Sequence, residues 1–173
     1  DAIDAFSRVM EASPDNAAAA AALGRLYERE AMWPEFLDNL KLRASMAVDP
    51  AERVALIHRA GQVQARELDD VFVAVAMYEQ ALELDRRFEP SVAALIRISH
   101  LEDYRRQAAE ILEPLLQVQE RWGDVAELYR MKAEAATDPF DRKAEWLRLA
   151  EVEENGKHDP AAAFSAAARA LSE

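Results

Sequence analysis

The sequence predicts an all-α protein of about ten helices, built as a stack of antiparallel helix pairs. Three observations carry that expectation. Apolar residues recur every three or four positions along nearly the whole chain, the spacing of one helix face. Only four glycines occur in 173 residues, and alanine is abundant, which favours long helices with short joints over a sheet. The sequence also lies over itself without a gap at a shift of about 89 residues.

From the front, Asp1 to Glu11 reads as a helix with Ile3, Phe6, Val9 and Met10 on one face, the second half of a hairpin whose first half is not seen. Ser13 to Asn16 is a turn, Ala17 to Ala31 an alanine-rich helix carrying Leu23, Gly24 and Tyr27, and Trp33-Pro34 opens a helix to about Met46. Asp49 then precedes Pro50 with Glu52 three residues on: an N-cap, a proline where no N–H is needed, and the acid of a capping box. Leu56, Ile57, Ala60 and Val63 mark the inner face of that helix. Asp69 and Asp70 offer the next N-cap, and Val71, Ala74, Val75, Tyr78, Ala81 and Leu82 mark the inner face of the helix that follows. The short polar link makes these two helices antiparallel neighbours, and Ala60-Gly61 leaves a space that Tyr78 fills.

The segment from Arg87 to Ser99 reads as a shorter helix from Pro90 to about His100, an inserted or shortened element without counterpart near Ala12 to Asp15. From Tyr104 an apolar stripe through Ala108, Ile111, Leu112, Leu115 and Leu116 contains Pro114, which is expected to kink or split that helix. Trp122-Gly123-Asp124 reads as a joint, Val125 to Ala136 and Phe140 to Asn155 as helices, Gly156 as a C-cap, and Asp159-Pro160 as the start of a last helix to Leu171. The internal repeat pairs Trp33 with Trp122, Asp49-Pro50 with Asp138-Pro139, Arg59 with Arg148, Asp70 with Asp159 and Ala81-Leu82 with Ala170-Leu171. Caps and buried-face positions match together, which chance rarely achieves.

The formal net charge of −12 is spread along the chain, so a nucleic acid is not the expected partner. Cysteine is absent, which excludes disulfides and thiol catalysis. No apolar run reaches membrane-spanning length and no signal peptide is visible, so membrane insertion is not expected. A cytoplasmic setting is the default, with nothing in the sequence to fix the compartment. His58, His100 and His158 lie far apart and lack companions at metal spacing. No phosphate-cradling glycine loop or hydrolase motif occurs, and the carboxylate run at Glu151, Glu153 and Glu154 reads as a solvated helix face. The expectation is therefore a chain without catalytic residues, metal or cofactor.

Leu23-Gly24 with Tyr27 one turn later, then Ala74, Tyr78 and Ala81 on a following helix, and Ala2, Phe6 and Pro14 at the front, resemble the tetratricopeptide repeat family. The stretch from Arg87 to Gln119 departs most from its pattern. The resemblance implies a right-handed superhelical solenoid in which the first helix of each pair lines a concave groove for peptides or protein segments. The lysines and asparagines with which some members clamp a C-terminal carboxylate are not present at Ala21, Arg25, His58 and Gln62.

Groove candidates are polar residues on first helices that do not face the core: Arg25 and Arg29, then His58, Gln62 and Arg66, and further on Glu151 and Asn155. The arginines would suit an acidic segment, or would simply pair with nearby acids such as Glu28. The expected function is a non-catalytic scaffold that binds another protein. Its rivals are a spacer or self-association module and a targeting module of a larger enzyme. The chain reads as a single repeat domain over residues 1–173, a fragment of a longer array, with open ends available for self-association.

Overall fold

The structure, a computed structural model, describes residues 2–173. These form ten α-helices and no strand: α1 Ala2–Ala12, α2 Ala17–Arg29, α3 Trp33–Met46, α4 Pro50–Arg66, α5 Val71–Leu84, α6 Glu89–Ser99, α7 Arg105–Val118, α8 Trp122–Ala135, α9 Pro139–Glu151 and α10 Pro160–Ser172. A 3₁₀ turn, Glu102–Tyr104, precedes α7, and a π-helical turn, Val152–Gly156, extends α9. The chain divides into two compact units, one up to Ala94 and one from Leu95. Within each unit, helices adjacent in sequence pack on one another, as expected for tetratricopeptide-like helix pairs.

Short aspartate-started joints fix the helix starts. The Asp49 carboxylate accepts from the Ala51 amide at 3.0 Å, Asp70 from Val73 at 3.0 Å, Asp138 from Phe140 at 2.8 Å, and Asp159 from Ala162 at 3.0 Å. In the first unit the core is Phe36, Leu37, Leu40, Val54, Ile57 and Val63 with their neighbours. In the second it gathers Leu112, Leu116, Val125, Leu128, Trp146 and Leu149. Gly61 answers to Tyr78 as anticipated: a Cβ there would stand 2.7 Å from the ring's Cε1.

The 89-residue repeat is written into the backbone as well as the sequence. Four non-glycine residues have positive φ: Ala31 and Glu120, both at 55°, and Asp69 and His158, at 53° and 57°. Each pair is 89 residues apart. The closing hydrogen bonds match too, Met32 N–H to Tyr27 O and Arg121 N–H to Leu116 O, each 2.9 Å. So do two arginines that reach back over the joint, Arg53 to the Ala47 carbonyl at 2.7 Å and Arg142 to that of Ala136 at 3.0 Å.

Several expectations are corrected. The helix after Arg87 is not an insertion: α6 stands 89 residues from the start of the chain, in the register of α1, so each copy of the repeat contains five helices. α6 follows Phe88 rather than an aspartate, so the signal that anchored the sequence match elsewhere is missing there. Pro114 does not split α7, because it lies on the exposed side, where the carbonyl it deprives of a partner can bond to water. Trp122 and Gly123 belong to α8 rather than to a joint. Gly156 does not adopt the left-handed conformation of a glycine C-cap; it is small because Trp122 lies against it, and a Cβ would meet that ring's Cδ2 at 2.7 Å. Glu153 is not on a solvated face but buried, between Lys157 at 2.7 Å and Arg130 at 3.7 Å.

Candidate functional site

In the second unit, α7, the end of α8 and α9 enclose an open groove of about 680 Å³. Its floor is made of small residues, Ala109, Ala135, Ala136 and Ala144, and exposed Phe140 stands at its edge. Small side chains keep neighbouring helices close while leaving room for an incoming chain. The equivalent place in the first unit is a smaller groove of about 470 Å³, in which Ala17, Ala21, Arg43 and Glu52 stand where the second unit has Arg106, Glu110, Lys132 and Asp141.

A polar network holds the inner wall. Lys132 bridges Glu113 at 3.0 Å and Glu145 at 3.3 Å, and Arg148 lies 3.2 Å from Glu145. The Tyr129 hydroxyl donates to Glu113 at 2.8 Å and accepts from the Gln117 amide at 3.0 Å. Burial alone would raise the Glu113 carboxyl. Hydrogen bonds from Lys132 and Tyr129, with the charges of Lys132 and Arg148, outweigh it and hold the group below the usual carboxylate range. Burial and the neighbouring Glu113 carboxylate push the Tyr129 hydroxyl well above its ordinary value. In the first unit Gly24, Leu40 and Leu56 stand where Glu113, Tyr129 and Glu145 are, while Arg43 and Arg59 stand where Lys132 and Arg148 are, so the first copy keeps the cations and lacks the two carboxylates and the hydroxyl of this network.

The mouth of the groove is different. Arg105 and Arg106 open α7 and line the groove, and neither forms an ion pair among the described residues. The Arg105 Nε is buried and has no hydrogen-bond partner. No side chain caps the start of α7, whereas Asn16, the residue equivalent to Arg105, caps α2 by accepting from the Ala19 amide at 2.9 Å. Two arginines, one with an unanswered donor, thus stand at an uncapped helix start, an arrangement suited to a carboxylate.

The sequence-chosen residues divide three ways. His58 is a correction, since it is buried rather than exposed in a groove. Its Nδ1 is 3.0 Å from Ser91 Oγ and its Nε2 3.0 Å from the Gln62 amide, with Tyr78 and Phe88 against its ring. Gln62 is half-buried and occupied by His58 and Arg59. Arg25, Arg29 and Arg66 are exposed but line none of these grooves; Arg29 pairs with Glu30 at 2.7 Å, and Glu28 is taken by Arg59. Glu151 and Asn155 do come together, with Arg148 and Gln117, around a second cleft of about 430 Å³ in the second unit. The missed residues, Arg105 and Arg106, lie in the stretch that matches the tetratricopeptide pattern least. The signal that would have found them is the repeat itself, which sets Asn16 against Arg105.

No protein-family model matches the chain, and no curated protein matches it. Among solved structures it is similar to the crystal structure of MamA, at 17% identity and a TM-score of 0.40, over 98% of this chain and 85% of that one. That likeness is too distant to carry a function.

Proposed function

We propose that this protein is a non-catalytic helical-repeat scaffold whose second unit binds a protein segment bearing a carboxylate, an acidic side chain or a chain terminus. The observation that supports this reading most is the Arg105–Arg106 pair at the uncapped start of α7, with the Arg105 Nε buried and unanswered inside a groove floored by alanine. The inner cations are already neutralised by Glu113 and Glu145, so a new anion would meet the two arginines at the mouth. Glu102, Glu110 and Asp141 on the same walls would reject a strongly acidic stretch, so the segment has one or two carboxylates set among apolar residues.

Fluorescence anisotropy with short labelled peptides, each carrying one carboxylate in an apolar context, tests this. Binding that falls on Arg105→Glu or Arg106→Glu and survives Arg25→Glu, Arg29→Glu and Arg66→Glu would support it. Binding lost only in the second set would place the site where the sequence alone put it.

A further inference from the structure

We propose that His58 is an acid-operated latch of the first unit: its neutral ring ties the start of α6 to α4, and taking up a proton breaks the tie. The hydrogen-bond chain around it fixes where the ring hydrogen sits. The Arg59 guanidinium carries donors only, and its Nη1 lies 2.9 Å from Gln62 Oε1. The Gln62 amide is thereby oriented with its oxygen on Arg59, so its Nε2 hydrogens face His58 Nε2 at 3.0 Å. An amide nitrogen of this kind can only donate, so His58 Nε2 is an acceptor and bears no hydrogen. The hydrogen of the neutral ring is therefore on Nδ1, which donates to Ser91 Oγ at 3.0 Å. Glu28 of α2 closes the far end of the chain by accepting from Arg59.

The surroundings are tuned to the neutral ring. His58 and Ser91 are both buried. Arg59 of the same helix and Glu28 of α2 are linked to the ring through Gln62, α5 lays the phenol of Tyr78 against it at 5.2 Å between centroids, and α6 presents the Ser91 hydroxyl, with Phe88 edge-on at 5.4 Å just before it. A second ring proton goes to Nε2, against the amide hydrogens of Gln62. Either that donor pair is left facing, or Gln62 turns over and sets its hydrogens against Arg59. Both routes lose a hydrogen bond where water cannot replace it. The folded chain therefore binds this proton more weakly than an ordinary histidine, which titrates at about 6.5. The unfolded chain takes the proton up at about 6.5 and the folded chain only at lower pH, so the stability is full above about 6.5 and falls below it, by up to about tenfold in the folding equilibrium per pH unit. The second copy of the repeat lacks the device, with Leu147 in place of His58 and Glu151 in place of Gln62. A carboxylate at the Gln62 position would accept from Arg59 and from a protonated His58 alike.

Two measurements test this. His100→Gln together with His158→Asn, both at exposed positions, leaves His58 the only one of the 3 histidines. Ring nitrogen NMR of that protein is expected to show the hydrogen on Nδ1 at neutral pH and a titration midpoint below about 6.5. Urea denaturation of the same protein at stepped pH is expected to show the folding equilibrium dropping below about pH 6.5, by up to about tenfold per unit, and Gln62→Glu is expected to abolish that drop. Circular dichroism checks that Gln62→Glu is folded, and the NMR titration decides the matter if it is not. A neutral ring with its hydrogen on Nε2 overturns the proposal. So does a midpoint at or above about 6.5, or a drop that Gln62→Glu leaves unchanged.

Discussion

Gly61 and Tyr78 offer the most quantitative test of how this fold is packed. Gly61→Ala places a Cβ 2.7 Å from Cε1 and 3.0 Å from Cδ1 of the Tyr78 ring, a contact that forces the buried ring or α5 to shift. Overpacking of this kind costs about 1–3 kcal/mol, while alanine regains about 1 kcal/mol of helix propensity over glycine. The net loss is therefore about 0–2 kcal/mol. Tyr78→Ala alone removes a ring that is 3% exposed and should cost about 3–5 kcal/mol. Once the ring is gone, the three nearest contacts of that Cβ go with it, so Gly61→Ala keeps its propensity gain and becomes stabilising by about 1 kcal/mol. The second copy of the repeat has Ala150 and Ala167 at these positions, the same paired exchange. A double-mutant cycle by urea denaturation, followed by circular dichroism, should give a coupling of about 1–3 kcal/mol with a change of sign for Gly61→Ala. Additive effects, or a Gly61→Ala that destabilises equally in both backgrounds, would refute the packing argument.

Glu113 has its carboxyl lowered from an ordinary value of 4.5, so its network adds stability that is present above that pH and lost as pH falls through the lowered value. Glu113→Gln should therefore lower the urea midpoint near neutral pH, with the gap to the wild type closing in acid; a gap independent of pH would contradict this. Tyr129, raised above 10.0, works in the opposite direction: its contribution is complete below that pH and declines as pH rises, and Tyr129→Phe should flatten the alkaline loss of stability. Asp49→Ala and Asp138→Ala remove equivalent caps and should each cost about 0.5–2 kcal/mol in the same denaturation assay. Gly156→Val should cost more than Gly123→Val, since Trp122 lies against Gly156 while nothing lies within 4 Å of a Cβ at Gly123.

Much of this fold was legible because its helices begin with strong chemical signals. Asp49 caps as read, Asp70 caps where the sequence offered Asp69 or Asp70, Asp159 caps the helix it was read to open, and Asp138, matched to Asp49 by the repeat, caps as well. The contact of Gly61 with Tyr78 was legible too, since only a missing side chain makes room for a ring on a facing helix. The α1–α6 equivalence escaped because α6 follows Phe88 rather than a capping aspartate, and the apolar stripe the two helices share is short. His58 and Glu153 were assigned to the surface by residue type. Burial of a polar group depends on partners that sequence does not bring together, here Ser91 and Gln62 for one, Lys157 and Arg130 for the other. The arginines of the groove escaped for the same reason. Arg25 and Arg105 look alike in sequence, and only the approach of α7 to α9 distinguishes a cation in a groove from a cation on an open face.

Arginine side-chain Nε–H resonances report most directly on the proposed binding of a carboxylate. Titrating an isotope-labelled sample with a carboxylate-bearing apolar peptide should move the Arg105 Nε–H resonance first and furthest, because that donor is buried without a partner, with Arg106 following. The Arg25, Arg29 and Arg66 signals should remain in place. An Arg105 signal that stays fixed while those three shift would contradict the account and move binding out of the α7–α9 groove.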